Sequence, residues 1–227
     1  MREIVLDTET TGFDPAMGHR VVEIGCVELF NHVATGNEYH AYLNPERDIP
    51  AEAEAVHGLS REFLATKHLF AAIADDLLMF IGDSPIIAHN AGFDMSFINA
   101  ELKRVGRPPL AGDRTIDTVL LARRKFPGAP ASLDALCRRF QIDISSREKH
   151  GALLDAKLLA NVYLELIGGR EPGLALAAAE VALGQQAAQE RPPRPARPHG
   201  PTAAEAAAHA DFIASLKNPL WANISKT

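Results

Sequence analysis

Ile4-Val5-Leu6-Asp7-Thr8-Glu9-Thr10-Thr11-Gly12 is the stretch whose reading decides the fold. Its aliphatic, β-branched start reads as a buried strand, and residues two apart on a strand point to the same face. Asp7 and Glu9 therefore stand side by side at its end. Two carboxylates held together there repel each other and lose hydration, a cost that a positive charge between them removes. Oxygen-seeking divalent metals supply such a charge. Gly12 then lets the chain turn sharply. An isolated Asp-x-Glu pair is more often solvated surface, so its meaning rests on what else converges on the same strand end.

Outward from this strand, Arg20 to Phe30 alternates around Val21, Val22, Ile24, Cys26 and Val27, and Glu38 to Leu43 alternates again. The pattern predicts an antiparallel three-stranded unit. Asn44 to Gly58 carries Pro45 and Pro50 without a clear period and reads as a loop holding Glu52 and His57. From Ser60 the period becomes helical, with a helix over Phe70 to Phe80. Pro85 to Ala88 reads as a short buried strand, followed by a helix from about Phe93 to Val105 that Gly106-Arg107-Pro108-Pro109 stops. Thr115 to Thr118 reads as a last short strand leading into a helix, Ser132 caps another over Leu133 to Phe140, and His150 or Gly151 opens a long one ending near Ile167. Strands first, then strands alternating with helices, make an α/β fold: a mixed five-stranded sheet flanked by helices.

The chain has 227 residues and a formal net charge of −6, with two cysteines far apart in apolar settings. Such a charge argues against holding nucleic acid through phosphate neutralisation alone; metals or a partner must supply positive charge. Cys26 and Cys137 read as reduced core thiols. No run is long enough for a membrane span and Met1-Arg2-Glu3-Ile4 lacks a signal-peptide layout, so the expectation is a cytoplasmic protein with no membrane partner.

Further acidic residues can join the opening pair. Asp94 starts the helix after the strand Ile86 to Ala88, where α/β sheets gather ligands. Asp155 lies one turn into the last core helix, five residues after His150. Within one helix that spacing turns side chains roughly 140° apart, which places His150 on the loop before the helix instead. Asp7, Glu9, Asp94 and Asp155 form the candidate metal-ligand set, with His150 as a mobile base. The set suits attack of water on a phosphodiester, with two divalent ions, Mg²⁺ or Mn²⁺, offsetting the charge that develops. A histidine is suited to take the water's proton. Asp113 and Asp117 are rival carboxylates; Asp117 reads as a structural strand-end or cap residue. His89 is either a supporting or a purely structural histidine, and His19, His32, His40, His68, His199 and His209 read as surface residues.

Asp7-x-Glu9, then His89-Asn90-x-x-Phe93-Asp94, then His150-x-x-x-x-Asp155 resembles, in order, the three motifs of the DEDDh 3′–5′ exonuclease family. Val56-His57-Gly58, Phe126-Pro127-Gly128, Ser132-Leu133-Asp134-Ala135-Leu136-Cys137 and His150-Gly151-Ala152-Leu153-Leu154-Asp155-Ala156 are similar to its branch of bacterial proofreading (epsilon) subunits. The resemblance runs from about Arg2 to Gly169 and resumes near Ala207-Ala208-His209 and Leu220-Trp221. It implies an RNase H-like exonuclease fold, two metals, and removal of mismatched nucleotides from primer 3′ ends. By position it implies that Glu52 and His57 help hold the terminal nucleotide, with Thr10 and Phe93 lining its pocket beside Asp7, Glu9 and Asp155.

The expected organisation is an exonuclease domain over 1–169, a flexible linker over 170–201 that is proline-rich from Arg191 to Pro201, and a tail over 202–227. A linker of about 30 residues spans on the order of 30 Å, and tethering replaces intrinsic affinity with effective concentration. Phe212, Ile213, Leu216, Leu220 and Trp221 are too few to form a core and suit docking on a partner, which the resemblance makes the polymerase catalytic subunit. Glu171 to Leu176 resembles the family's sliding-clamp peptide, although Glu171 stands where a glutamine is usual and Leu176 where an aromatic is usual. The rival readings are an RNA-trimming enzyme of the same family and a catalytically silent replisome adaptor. A two-carboxylate glycosidase would leave Asp94, His150 and the tail unexplained.

Overall fold

The computed structural model describes residues 1–145, 149–168 and 200–217. The chain divides into two units, Met1–Gly173 and Leu174–Thr227. In the first, β1 (Arg2–Thr10), β2 (Val21–Phe30), β3 (Val33–Tyr42), β4 (Ile86–Ala88) and β5 (Thr115–Asp117) form one sheet in the order β3-β2-β1-β4-β5. The pairs β1·β2 and β2·β3 are antiparallel, whereas β1·β4 and β4·β5 are parallel. The mixed five-stranded sheet is the one expected. Because β1 and β4 run the same way, the carboxyl end of β1 lies beside the chain that leaves β4, and this brings Asp7 and Glu9 toward Asp94.

Alternation along β1 sends its side chains to two cores. Ile4 and Leu6 pack with Ile24, Cys26 and Ile86 against α3 (Phe70–Ile81) and α4 (Ala91–Arg104). Val5 packs with Val27, Leu29 and Ile87 on the other face, against α6 (Leu133–Arg139) and α7 (Ala152–Leu166). Between these, α5 (Thr118–Lys125) follows β5, with the Asp117 carboxylate accepting from the Val119 N–H, so Asp117 is a helix cap as expected. Ser60 caps α2 (Arg61–Ala65) and Ser132 caps α6, each accepting from the backbone N–H three residues on. Cys26 and Cys137 are buried free thiols.

Three expectations are corrected. Asn44 to Gly58 is not all loop: Ala51–His57 is a helix, α1, ended by Gly58 at φ 75°. Its Ala-Glu repeats form a mostly exposed helix with no apolar period to read, while Pro50 and Gly58 bracket it. The third strand starts at Val33, earlier than expected; Val33 to Glu38 lie on the sheet edge and are all exposed, so no alternation marks them. His32 and His40 are not plain surface residues: His32 Nδ1 lies 2.8 Å from buried Glu3, and His40 Nε2 lies 2.7 Å from buried Glu23. Sequence spacing cannot reveal such pairs because their partners come from neighbouring strands.

In the second unit, α8 (Ala203–Ser215) opens with a capping box in which Thr202 and Glu205 bond reciprocally. Phe212 is exposed on it. Glu171 to Leu176, most of the expected linker, and Leu220-Trp221 lie outside the described residues.

Candidate active site

Close packing of α7 onto the sheet builds the site. Asp7 is the cross-strand partner of Gly25 on β2. A β-carbon at Gly25 would run into the backbone of Ala152 and Leu153, so the missing side chain is what lets the first turn of α7 settle on the strand. Asp155, in that turn and buried, thereby comes to the strand end that carries Asp7 and Glu9. Glu9, His150 and Asp155 each offer a donor atom within 4.8 Å of the others. His150 Nδ1 stands 3.3 Å from Asp155 Oδ2. As expected, His150 precedes the helix, whose N-cap is Gly151. The His150 N–H donates to the Val56 carbonyl at 3.3 Å, tying its loop to α1.

Asp94 enters from α4. It is buried and accepts from the Thr8 hydroxyl at 2.7 Å. Burial pushes its carboxyl up to about 7, against the hydrogen bonds from Thr8. An acid so placed is easily protonated unless a cation shares the pocket. Asp94 and Asp7 both act on the Cys26 thiol, whose pKa burial, and then these two carboxylates, raise. Thus Glu9, Asp155 and His150 make one tight group, with Asp94 held on the neighbouring side of β1 by Thr8.

A pocket of about 430 Å³ opens next to this group, lined by Glu9, Thr10, Glu52, His57 and Phe93 among others. All four residues expected to line a nucleotide pocket are therefore in one place with Glu9. His57 is buried; its Nδ1 accepts from the Leu59 N–H, which leaves the proton of the neutral ring on Nε2. Burial and the nearby Lys149 ammonium lower its pKa to about 4. Lys149 lies across Gly58, where a β-carbon would meet its side chain at 2.6 Å. His89 contacts the Thr118 hydroxyl at 2.9 Å, outside the tight donor group.

The exonuclease family model matches residues 4–163. The epsilon subunit of DNA polymerase III from Rickettsia conorii is 58% identical over 174 residues, covering 75% of this chain and 76% of that protein. Its namesake from Escherichia coli is 46% identical over 176 residues, covering 74% and 72%. The chain belongs to the exonuclease family, among the epsilon subunits of DNA polymerase III. It is accordingly a metal-dependent exonuclease with a proofreading role. Among solved structures the exonuclease resembles exonuclease X in complex with 5′ overhanging duplex DNA, at 26% identity and a TM-score of 0.57 over 74% of this chain and 92% of that one. It shares its fold with the nuclease domain of 3′hExo, a DEDDh family member bound to rAMP, at 16% identity and a TM-score of 0.61 over the same shares. The DEDDh fold implies divalent metals, and a donor set of carboxylate oxygens with one imidazole fits them.

Several residues of the exonuclease's site escaped sequence reasoning. Phe13 and Val56 line the pocket with their side chains largely exposed, and His19 joins them through contact with the Thr11 hydroxyl at 3.2 Å. Only the position of Phe13 directly after Gly12 could have signalled it. Gly25 carries no chemical group, and its importance is visible only once α7 is placed.

Proposed function

We propose that Asp7, Glu9, Asp94 and Asp155 hold two divalent ions, Mg²⁺ or Mn²⁺, and that His150 is the base for hydrolysis of the 3′-terminal phosphodiester of DNA. The convergence of Glu9, His150 and Asp155 beside the pocket carries this reading. When bound, the ions supply charge that offsets the phosphate and acidify the attacking water. His150, exposed on its loop, accepts the proton and passes it to solvent. Phe93 and Phe13 offer aromatic faces to unpaired bases, while Glu52 and neutral His57 hydrogen-bond the terminal nucleoside. A pocket of this size admits unpaired nucleotides, so a frayed, mispaired end enters at lower melting cost than a paired one.

The polymerase catalytic subunit is the proposed partner of residues 202–227, and the sliding clamp that of Glu171 to Leu176. Among the described residues no helix is long and apolar enough to cross a membrane, and the proposed place of action is the replisome in the cytoplasm.

The test is digestion of a mispaired primer by Asp7→Ala and Asp155→Ala variants whose folding is checked by circular dichroism. The expected loss is at least about a thousandfold, on the order of 4 kcal/mol of barrier. Full activity in either variant, or of the parent protein in excess chelator, overturns the mechanism. Single-stranded RNA of the same sequence, run alongside, separates this activity from RNA trimming.

A further inference from the structure

Two rows of cross-strand neighbours underlie the site. One runs Asp7, Gly25, His40 and the next runs Glu9, Glu23, Tyr42, each residue being the register partner of the one beside it. Partners directly opposite on antiparallel strands project to the same face, so both rows face α7. The first turn of α7 settles on Gly25 and is thereby flanked by Asp7 and His40. Glu23 stands next to this seat. It is 3% exposed, and its Oε1 is held by His40 Nε2 at 2.7 Å. Its Oε2 points to Gly151, 4.0 Å from where a β-carbon of that residue would be.

The arrangement is costly without a purpose. A buried carboxylate directly opposite Glu9 adds like charge to a site already rich in it. The compensation lies at the helix end: α7 has no side-chain cap, and a carboxylate near its first turn interacts favourably with the exposed N–H groups there. Gly151, the N-cap of α7, joins the helix to His150.

We infer that the Glu23–His40 pair is a positioning device that holds the Gly151 N-cap against the sheet and so sets where His150 meets the attacking water. Glu23 touches neither substrate nor metal in this scheme and acts through His150. Asp155 lies one turn further in, its N–H donating to the Gly151 carbonyl at 2.8 Å, in a helical turn whose Ala152, Ala156 and Leu159 are fully buried and hold it in the core. The inference rests on His150 being the base.

A double-mutant cycle on the full-length chain tests it, using single-stranded DNA with Mn²⁺. Glu23→Ala is expected to lower kcat about tenfold with KM within about twofold, a coupling in the range of contacting residues. Glu23→Gln, which keeps an acceptor for His40, recovers most of the loss. In a His150→Ala background the Glu23→Ala change costs less than about twofold, because the group it positions is gone. The Mn²⁺ dissociation constant measured by calorimetry stays within about twofold, a range far smaller than loss of a ligand would give. Should Glu23→Ala fail to fold by thermal melting, His40→Ala, whose side chain is partly exposed, enters the same cycle. Equal losses in both backgrounds, or weakened Mn²⁺ binding in step with kcat, overturn the inference and place Glu23 with the fold or the metals. Undiminished kcat in Glu23→Ala overturns it outright. Undiminished kcat in His150→Ala alone overturns the base assignment as well, so the two failures are told apart.

Discussion

Individual side chains in this site are set by what surrounds them more than by their own type. His57, buried beside Lys149, has a pKa lowered to about 4. Its neutral form is favoured in the native state, so the stability it supports is complete above the unfolded histidine value of about 6.5 and is lost as pH falls toward 4. Unfolding free energy, followed by denaturant titration, is expected to fall over that window, and His57→Asn is expected to flatten the fall. Phe13, 89% exposed beside the pocket, has no packing reason to be aromatic. Phe13→Ala should leave stability unchanged and raise KM for single-stranded DNA; loss of one base stack is worth about 1–3 kcal/mol, roughly a 5- to 150-fold effect on binding. At this scale the sequence was informative wherever chemistry clusters in short motifs. Asp7, Glu9, Asp94 and Asp155 could be named as candidates because carboxylates at strand ends and helix starts are costly without a cation, and His150 because its spacing from Asp155 puts it outside the helix. His40 and Glu23 were not, because neither has a partner within reach along the chain.

Elements contribute through close approach. The first turn of α7 rests on β2 only because Gly25 has no side chain. Gly25→Ala is expected to push α7 away from Asp7 and Glu9, destabilising the fold by about 3 kcal/mol, the upper end for overpacking, and removing activity. A thermal melt and a Mn²⁺ titration check both effects, and a variant with parental stability and rate would show that the helix can settle elsewhere. The strands and long helices were readable because their apolar residues enter the core: a continuous aliphatic run marks β1, which is buried on both faces, and helical spacing marks α3 and α7. Helix α1 was missed because its exposed Ala-Glu run never enters a core, although its last residue, His57, and its Glu52 line the pocket. The exposed edge at the start of β3 was missed for the same reason.

On the scale of the whole molecule, catalysis and targeting are proposed to reside in separate parts. The capping box at Thr202 and Glu205 starts α8, and Phe212 is exposed on it. Deleting residues 202–227 is expected to abolish capture of the polymerase catalytic subunit in a pull-down while leaving digestion of a free oligonucleotide within about twofold; a fall in both would tie the tail to the exonuclease fold itself. The sequence by itself determined that a histidine, His150, lies ahead of its helix, and it set the expectations of which carboxylates share a cation and where a linker follows the core. These follow from local costs, charge repulsion, helix period and proline content, that any fold must meet. Only the tertiary structure decided how the parts meet. It placed α7 on Gly25, put Asp94 under the Thr8 hydroxyl, folded Glu52 and His57 onto a helix beside Glu9, and set the Glu23–His40 pair against Gly151. Each of these joins residues distant in the chain, and such contacts depend on sheet order and strand register, which no local pattern encodes.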